Sequence, residues 1–299
     1  MMGRAHGPRT ARVEAQGKIN LFLRILSREQ SGYHQLETLF QRIALADSVT
    51  VSIGGAGRTL DCTGADVGPV EQNLAWRAAV VFADKAGGPL NFHIEIEKRI
   101  PVGGGLGGGS ADAAAVLRAL NTLVPTPLDP ASLAELAFSL GADVPYLLSR
   151  HALALGAGRG EKLFPLEALP ARDILLAIPP FGVSSGDAFG WFAAQKASRH
   201  SGTRATLPVG RKLEWKTIAA LAANDLESVV EAQHAEIGVL RDTLRANGAT
   251  LAQMSGSGST VYGVFEAGAG RGAVDAIAAA GARVVSTSTV EAIAPVELE

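Results

Sequence analysis

Cysteine is almost absent from the sequence: its 299 residues include one, Cys62, together with six scattered histidines. A single cysteine cannot close an internal disulfide, and it excludes a metal site built on several cysteines. No H-E-x-x-H pair occurs, so a zinc hydrolase is not expected. Because one cysteine fits a reducing compartment, we expect a cytoplasmic protein.

Neither sign of charge is in excess, and long apolar runs are absent. Lysine and arginine number 27 and aspartate and glutamate 29, which gives a formal net charge of −2. This balance supplies no bulk attraction to nucleic acid or to an acidic membrane, and aromatic residues make up only 5% of the chain. No apolar run approaches the roughly 18–20 residues that span a bilayer. We therefore expect neither nucleic acid nor a membrane as a partner.

The composition is nevertheless that of a folded chain, with 47% hydrophobic and 19% charged residues. At about 150 residues per domain, the length suggests two domains. The pattern of strands and helices changes after about residue 160, which predicts an α+β architecture with domains at 1–160 and 161–299. A polar, basic stretch without acidic residues, 196–212, is predicted to be a solvated loop.

Local patterns predict individual elements. KINLFLRIL (18–26) alternates as a strand, with Lys18 and Asn20 sharing one face. QNLAWRAAVVFADKAG (72–87) is predicted to be a helix, and Asp129-Pro130 is predicted to begin another as N-cap and first-turn residue. These elements surround the most unusual stretch of the chain.

That stretch is PVGGGLGGGSADAA (101–114), with six glycines in the seven positions from Gly103 to Gly109. A flexible linker normally joins polar, weakly patterned segments. This run instead lies between an alternating predicted strand, NFHIEIEKRI (91–100), and an apolar-striped predicted helix, SADAAAVLRALNTL (110–123). A glycine-rich loop that opens a helix offers free backbone N–H groups to an anion, so the run is predicted to bind phosphate.

Three known phosphate-binding motifs do not account for the run. A P-loop requires lysine where Gly109 stands. The dinucleotide pattern G-x-G-x-x-G matches formally, but no second strand ending in an acidic residue follows it at the required distance. The V-A-I-K, H-R-D and D-F-G segments that accompany the loop of protein kinases are absent from the sequence.

The run resembles a fourth motif, the phosphate loop of the GHMP kinase superfamily (galactokinase, homoserine kinase, mevalonate kinase and phosphomevalonate kinase). The pattern of that loop is roughly P-x3-G-L-G-[SG]-[SG]-A-x-A. Residues of this sequence that fall into the frame are Pro101, Gly105, Leu106, Gly107 and Ser110. The combination of the proline, the Gly-Leu-Gly core and the alanine-rich helix start makes the resemblance fairly specific.

Further segments are similar to one branch of the superfamily, the 4-diphosphocytidyl-2-C-methyl-D-erythritol kinases. They are GKINLFLRILSREQSGYHQLETLFQRIAL (17–45), EQNLAW (71–76), LGADVPYLL (140–148), ANDLE (223–227) and MSGSGSTVYGVF (254–265). The first of them discriminates best, because the glycine run by itself identifies only the superfamily.

The resemblance implies a fold and a reaction. The fold would combine an N-terminal ribosomal-protein-S5-like α/β domain with a C-terminal ferredoxin-like α+β domain, with the active site between them. The reaction would be ATP-dependent phosphorylation of the 2-hydroxyl of 4-diphosphocytidyl-2-C-methyl-D-erythritol, in non-mevalonate isoprenoid precursor biosynthesis. Mg²⁺ is expected with ATP, because phosphate oxygens bind it strongly. The state expected is a monomer or a weak homodimer.

The resemblance also implies roles for individual residues. Asp143 matches the catalytic aspartate as general base, and Lys18 matches the lysine expected to pair with it and to stabilise charge on the transferring phosphoryl group. The candidates for ATP binding are Asn73, Lys98, Pro101, Val102, Gly103, Gly104, Gly105, Leu106, Gly107, Gly108, Gly109, Ser110 (also the candidate Mg²⁺ ligand) and Ala111. The candidates for substrate binding are Asn20, Tyr33, His34, Phe189 (with Trp191 as its rival for the second stacking ring), Gly256 and Gly258.

Alternatives remain open at this point. A sibling kinase acting on homoserine or mevalonate has no base to stack, so Tyr33 and His34 discriminate against it. A catalytically silent nucleotide-binding regulator would have no use for the retained Lys18 and Asp143. The segment 180–212 lacks a firm counterpart to the family pattern, which leaves the second half of the cytidine pocket open but not the kinase chemistry.

Overall fold

A computed structural model describes residues 9–30, 32–195 and 212–299 of the chain. The predicted basic loop 196–212 therefore lies outside the described residues, apart from Lys212. The strands are β1 (Arg9–Arg28), β2 (His34–Ile53), β3 (Arg58–Thr63), β4 (Phe92–Glu97), β5 (Leu153–Gly158), β6 (Lys162–Pro165), β7 (Asp173–Ile178), β8 (Leu251–Met254), β9 (Val261–Phe265), β10 (Arg283–Ser288) and β11 (Val296–Leu298). The α-helices are α1 (Leu74–Lys85), α2 (Gly108–Leu123), α3 (Pro130–Leu140), α4 (Val144–Leu148), α5 (Ser185–Ala194), α6 (Trp215–Leu221), α7 (Glu227–Glu231), α8 (Glu236–Ala246) and α9 (Ala273–Ala279).

The larger sheet is built on a long antiparallel hairpin, β1 and β2. The strand order is β11-β1-β2-β4-β3, and β5 and β6 extend it from β2. Two different neighbours share β2: its residues 48–53 pair with β4 and its residues 36–41 with β5. The hairpin register shifts between Gln16 and Lys18 and again between Asn20 and Phe22. Such irregularities bend a strand and redirect its side chains. The segment that carries Lys18 and Asn20 lies between two of them, so its side chains do not continue the regular alternation of the strand.

One face of this sheet is covered by α1 and α2. Small side chains such as Ala113 and Ala114 on α2 pack with Val49, Val51 and Ile94 of the sheet in one buried cluster. Because alanine lets a helix approach a sheet closely, the start of α2 lies near the sheet. The glycine run, whose last two residues open α2, is therefore held next to β1.

The smaller sheet, β10-β7-β9-β8, is antiparallel throughout, and β7, β8 and β9 are buried on both faces. In β7, Ile174 and Leu176 join a cluster with Ile19 and Leu21 of β1, while Leu175 and Ala177 belong to a cluster that includes α7 and α8. This alternation is the period of two that a strand imposes. The two sheets thus share a core on the side of β1 opposite α2.

The sheets are also joined by hydrogen bonds at the irregular part of β1. Gln253 of β8 donates to the carbonyl oxygens of Asn20 and Leu21 at 2.8 and 3.0 Å. The Tyr262 hydroxyl of β9 donates to the Asn20 carbonyl at 2.9 Å. The second half of the chain therefore fastens β1 beside Lys18.

The predicted α+β class is confirmed, as are the strand at 18–26 and the helix at 72–87. The predicted helix at 110–123 begins two residues earlier, at Gly108, within the glycine run. The predicted division at 160/161 falls between β5 and β6, which pair with each other, and it stays a prediction. Across the described ranges, no helix is long and apolar enough to cross a membrane.

Candidate active site

A cavity of about 1190 Å³ lies where β1, the glycine run, the α3–α4 turn, the start of α5 and the loop after β8 meet. Pockets for one drug-sized ligand measure about 300–1,000 Å³, so this one exceeds the size that a single small ligand requires. The candidate residues that line it are Lys18, Asn20, Tyr33, His34, Asn73, Lys98, every residue from Pro101 to Ser110, Asp143, Phe189, Gly256 and Gly258. Ala111 is the exception, because its side chain is buried in the core beneath α2.

Lys18 and Asp143 meet in this cavity. The Lys18 ammonium lies 3.3 Å from the Asp143 carboxylate, and the side chains are 4% and 34% exposed, respectively. Lys18 Nζ also donates to Asn20 Oδ1 at 2.7 Å and to the Gly105 carbonyl at 3.0 Å. The Asn20 NH₂ group donates to Thr38 Oγ1 at 2.7 Å, which fixes the orientation of the Asn20 amide. The ammonium is therefore held by three oxygens, while the carboxylate retains access to the cavity.

Asp143 reaches this position because the chain reverses between two helices. α3 ends at Leu140 and is followed by its C-cap, Gly141. Asp143 directly precedes the short helix α4, in which Pro145 occupies the first turn. Proline is tolerated there because the first N–H groups of a helix have no intrahelical partner. The turn thus presents the carboxylate toward β1.

The glycine run adopts a backbone that other residues rarely adopt. Gly103, Gly105 and Gly107 have φ of +72°, +74° and +73°, and the residues between them do not have positive φ. Such alternation is the backbone pattern of anion-binding nests, in which successive N–H groups point to one side. The loop is fastened to β1 by a hydrogen bond from the Lys18 amide to the Leu106 carbonyl, at 2.9 Å.

The run is also packed too tightly for side chains. A Cβ on Gly105 would lie 2.2 Å from the Ser255 carbonyl oxygen, and one on Gly107 would lie 3.1 Å from Lys18 Cγ. A Cβ on Gly256, in the loop after β8, would lie 3.1 Å from Lys18 Nζ. Glycine is therefore needed here for close approach as well as for conformation.

Lys98 lines the cavity, but its ammonium is already engaged by two carboxylates. It bonds to Asp47 and, at 2.7 Å, to Asp112, in a buried cluster beneath the loop. Asp47 also accepts the backbone N–H groups of Arg99 and Ile100 at 2.6 and 2.8 Å. The cluster ties the residues that precede the loop to β2 and to α2, which is a structural arrangement rather than a free cation.

The charges of this cluster perturb one another. Burial raises the pKa of Asp112 to about 7; the Lys98 ammonium opposes this shift and the Asp47 carboxylate adds to it. Burial alone would lower the pKa of Lys98, but attraction to Asp112 and Asp47 outweighs burial and raises it. One oxygen of Asp112, Oδ1, is buried without a hydrogen-bond partner among the described residues. The cluster therefore offers no net positive charge to a phosphate.

At the opposite end of the cavity, His34 stacks on Phe189 with ring centroids 5.1 Å apart and planes 19° apart. The rival ring, Trp191, is absent from the lining and instead lies 6.2 Å from His234. Partial burial and, to a lesser extent, the nearby Arg28 lower the pKa of His34. A neutral imidazole can both donate and accept a hydrogen bond, as recognition of a base edge requires.

Some residues of the cavity escaped the sequence analysis. The Arg159 guanidinium lies 3.9 Å from the centroid of the Tyr33 ring and pairs with Glu29 at 2.6 Å. It occupies the turn between β5 and β6, flanked by Gly158 and Gly160, which both have positive φ. The Gly-Arg-Gly triplet was the available signal, since an arginine between two glycines indicates an exposed tight turn.

Asn73 both caps a helix and lines the cavity. Its side-chain oxygen accepts the Ala75 N–H at 2.8 Å at the start of α1. The cap engages the amide oxygen, so the NH₂ group can still donate to a ligand.

Comparisons with known proteins agree on one family. The family model "GHMP kinases N terminal domain" matches residues 73–150, and "GHMP kinases C terminal" matches residues 211–283. The 4-diphosphocytidyl-2-C-methyl-D-erythritol kinase of Moorella thermoacetica is 41% identical over 84% of this chain and 88% of its own length. That of Desulfotalea psychrophila is 37% identical over 87% of both chains. A crystal structure of 4-(cytidine 5'-diphospho)-2C-methyl-D-erythritol kinase, 36% identical, superimposes with a TM-score of 0.76 over 93% of this chain and 98% of that one.

Proposed function

Because this chain belongs to the 4-diphosphocytidyl-2-C-methyl-D-erythritol kinase family of GHMP kinases, we propose that it transfers the γ-phosphate of ATP to the 2-hydroxyl of 4-diphosphocytidyl-2-C-methyl-D-erythritol. The products are the 2-phosphate and ADP, in a step of non-mevalonate isoprenoid precursor biosynthesis. The observation that carries the residue assignment is the pairing of Lys18 with Asp143 beside the glycine run.

Phosphoryl transfer has a loose transition state, so catalysis depends on positioning and on stabilising charge. In our proposal the Asp143 carboxylate orients the 2-hydroxyl and accepts its proton as the O–P bond forms. The Lys18 ammonium stabilises negative charge on the transferring group, and Asn20 binds near the hydroxyl. The contacts of Lys18 with Asn20 and Gly105 support this role, because they fix the ammonium before substrate arrives.

The glycine run would hold the phosphates of ATP through its backbone N–H groups, and the NH₂ group of Asn73 would contact the adenine. Ala111 would contribute through its backbone, since its side chain faces the core. For Lys98 the contacts with Asp47 and Asp112 favour an indirect role, in which it holds the base of the loop. Direct contact of Lys98 with phosphate remains the alternative.

We propose that Mg²⁺ accompanies ATP. The half-buried Ser110 lines the cavity in the first turn of α2, and its hydroxyl oxygen suits a hard cation that takes most of its ligands from phosphates and water. Within the described residues there is no group of three or more histidine, cysteine or acidic side chains that could hold a metal ion. When bound, the ion would neutralise charge on the phosphates.

The cytidine base would lie at the aromatic end of the cavity. His34 and Phe189 form one stacked pair there, and Tyr33 supplies a further ring that Arg159 covers on one face. A pyrimidine that packs against these rings would gain stacking energy, and the His34 imidazole would form a hydrogen bond with the edge of the base. Gly256 and Gly258 line the cavity in the loop after β8 and would lie beside the rest of the substrate.

We also propose the two-domain division at 160/161, a monomeric or weakly dimeric state and a cytoplasmic location. The separate family-model matches on either side of residue 160 support the division. In this arrangement β6 and β11 of the second domain complete the larger sheet of the first.

The test is release of ADP by purified protein supplied with ATP and Mg²⁺, with the cytidine compound, homoserine or mevalonate as acceptor. We expect turnover with the cytidine compound alone, with only a small residual rate in Asp143→Asn and in Lys18→Met. Asp275→Asn, on the exposed side of α9, is the matched control and should retain activity. Turnover with another acceptor would reject the cytidine site, and nucleotide binding without any turnover would favour a silent regulator.

A further inference from the structure

The segment ANDLE (223–227) carries part of the sequence resemblance, yet Asn224 and Glu227 do not line the cavity. It forms the turn between α6 and α7 and runs beside β1. The Leu23 amide donates to the Ala223 carbonyl at 2.8 Å, and the Asp225 amide donates to the Leu23 carbonyl at 2.9 Å. The turn is therefore fixed to the strand that carries Lys18, a few residues further along it.

Asn224 forms hydrogen bonds with the backbone at the start of the loop that follows β8. Its NH₂ group donates to the carbonyl oxygens of Met254 and Gly256 at 2.9 and 2.7 Å, on either side of Ser255. Its amide oxygen accepts the Leu226 N–H at 3.0 Å. Both hydrogens and the oxygen of the amide are thus engaged, so the orientation of the side chain is fully specified.

Glu227 holds the same loop from its other side. One carboxylate oxygen accepts the Met254 N–H at 2.6 Å, and the other accepts from Arg241 at 2.9 Å. A charged acceptor makes a stronger hydrogen bond than a neutral one. Met254 is therefore clamped through its N–H by Glu227 and through its carbonyl by Asn224.

The clamped loop is the wall against which the Lys18 ammonium rests. Gly256 has φ of +57°, and a Cβ there would lie 3.1 Å from Lys18 Nζ and 3.3 Å from Asn20 Oδ1. The Ser255 hydroxyl donates to the Gly105 carbonyl at 3.0 Å, and the same carbonyl accepts from Lys18 Nζ. A rotation of the Gly256 peptide would press on the ammonium and disturb the contacts that it makes with Asn20 and the Gly105 carbonyl.

We propose that Asn224 is a positioning residue for phosphoryl transfer: it sets the Gly256 peptide against Lys18 and so fixes the ammonium relative to Asp143. The inference rests on the proposed role of Lys18. A misplacement of about 1 Å at a catalytic group can reduce the rate about 100-fold. The loop lies beside the ammonium, whereas the groups proposed to hold the two bases belong to other elements, so the loss falls on kcat more than on KM.

The test begins with Asn224→Asp, which keeps the size of the side chain but removes both donors. We expect kcat to fall about tenfold or more, with KM for ATP and for the cytidine compound changed less than about threefold. The matched control is Asn121→Asp, because Asn121 also bridges backbone groups, donating to the Leu128 carbonyl at 3.2 Å and accepting from its N–H at 2.7 Å. In urea unfolding, Asn121→Asp should lose about as much free energy of unfolding as Asn224→Asp, but it should retain kcat.

A double-mutant cycle separates positioning from a general loss of structure. In a Lys18→Met background, Asn224→Asp should lower the residual kcat no further, because the group that Asn224 acts through is gone. Independent multiplication of the two losses would overturn the inference, and so would an equal loss of kcat in Asn121→Asp. If Asn224→Asp fails to fold, Glu227→Gln and Glu227→Ala take its place: the glutamine keeps an acceptor for Met254 and should retain kcat, whereas the alanine should not.

The same measurements keep the inference distinct from the proposed function. If wild-type protein does not turn over, or if Lys18→Met is fully active, the proposed function fails. If both behave as expected and Asn224→Asp retains kcat, only the role of Asn224 is rejected.

Discussion

Replacing Gly105 by alanine tests whether the glycine run is fixed by close packing or only by its backbone conformation. Gly105 has φ of +74°, and the added Cβ would lie 2.2 Å from the Ser255 carbonyl oxygen and 2.9 Å from that of Gly258. A carbon and a carbonyl oxygen normally approach no closer than about 3.3 Å. Because both obstacles are backbone atoms, the run and the loop after β8 must separate by about 1 Å.

The expected destabilisation has three sources. A left-handed alanine costs about 1–2 kcal/mol. Inserting a methyl group into a packed site costs about 1–3 kcal/mol. Separation also breaks the bonds that the Gly105 carbonyl accepts from Lys18 and Ser255, at about 1 kcal/mol each. We therefore expect Gly105→Ala to lose about 4 kcal/mol or more.

Gly87→Ala is the matched control, because Gly87 has φ of +77° and a Cβ added there would meet no atom of the described residues within 4 Å. It should lose only the conformational cost, about 1–2 kcal/mol. Urea unfolding followed by circular dichroism gives both free energies, and ADP release gives kcat, which should fall in Gly105→Ala alone. Equal losses of stability in the two variants, with kcat retained in both, would refute the packing argument.

Three further predictions concern single side chains. Burial raises the pKa of Asp112 from 3.8 to about 7, so protonation favours the folded state and the free energy of unfolding declines as pH rises from about 4 through 7. In urea unfolding at about pH 5 and pH 8, Asp112→Asn should reduce the difference between the two pH values. Asp47→Asn should instead lower the free energy of unfolding by about 3–5 kcal/mol at both pH values, because it breaks a buried ion pair. Asn73→Ala and Asp129→Ala each remove a helix cap, and each should lower the free energy of unfolding by about 1 kcal/mol. KM for ATP should rise only in Asn73→Ala. Equal KM values for ATP in the two variants would contradict the adenine contact of Asn73. Phe189→Ala should raise KM for the cytidine compound by about tenfold, because stacking on a base contributes about 1–3 kcal/mol; an equal rise in KM for ATP would argue against a base at this ring.

Elements with local signals could be predicted from the sequence. Asp129 accepts the N–H groups of Ala131 and Ser132 at 2.9 and 3.0 Å, as the Asp-Pro pair predicts for a helix start. β4 buries Phe92, Ile94 and Ile96 on one face, as its alternation predicts. In both cases the determining contacts lie within a few residues or depend only on period.

Features that depend on distant partners could not be predicted in this way. The N-terminal half of β2 pairs with β5, more than a hundred residues away, and no local pattern marks that partner. Phe189 and Trp191 both belong to α5, and the docking of that helix decides which ring faces the cavity. The same holds for Lys98: its place before the glycine run suggests a phosphate ligand, but Asp47 on β2 and Asp112 on α2 neutralise it.

The neutralisation of Lys98 bears on how the cavity attracts phosphate. A cluster of two carboxylates and one ammonium carries no excess positive charge, so the attraction must come from elsewhere. The backbone N–H groups of the glycine run supply part of it, and the Lys18 ammonium, paired with a single carboxylate, lies beside the loop at 3.0 Å from the Gly105 carbonyl. A lysine that serves the transferring phosphoryl group must not drift toward the other phosphates. The contacts of Lys18 with Asn20, Gly105 and Asp143, together with the neighbouring Gly256, restrict the ammonium to one position. For this reason we expect the loss of Asn224 to lower kcat.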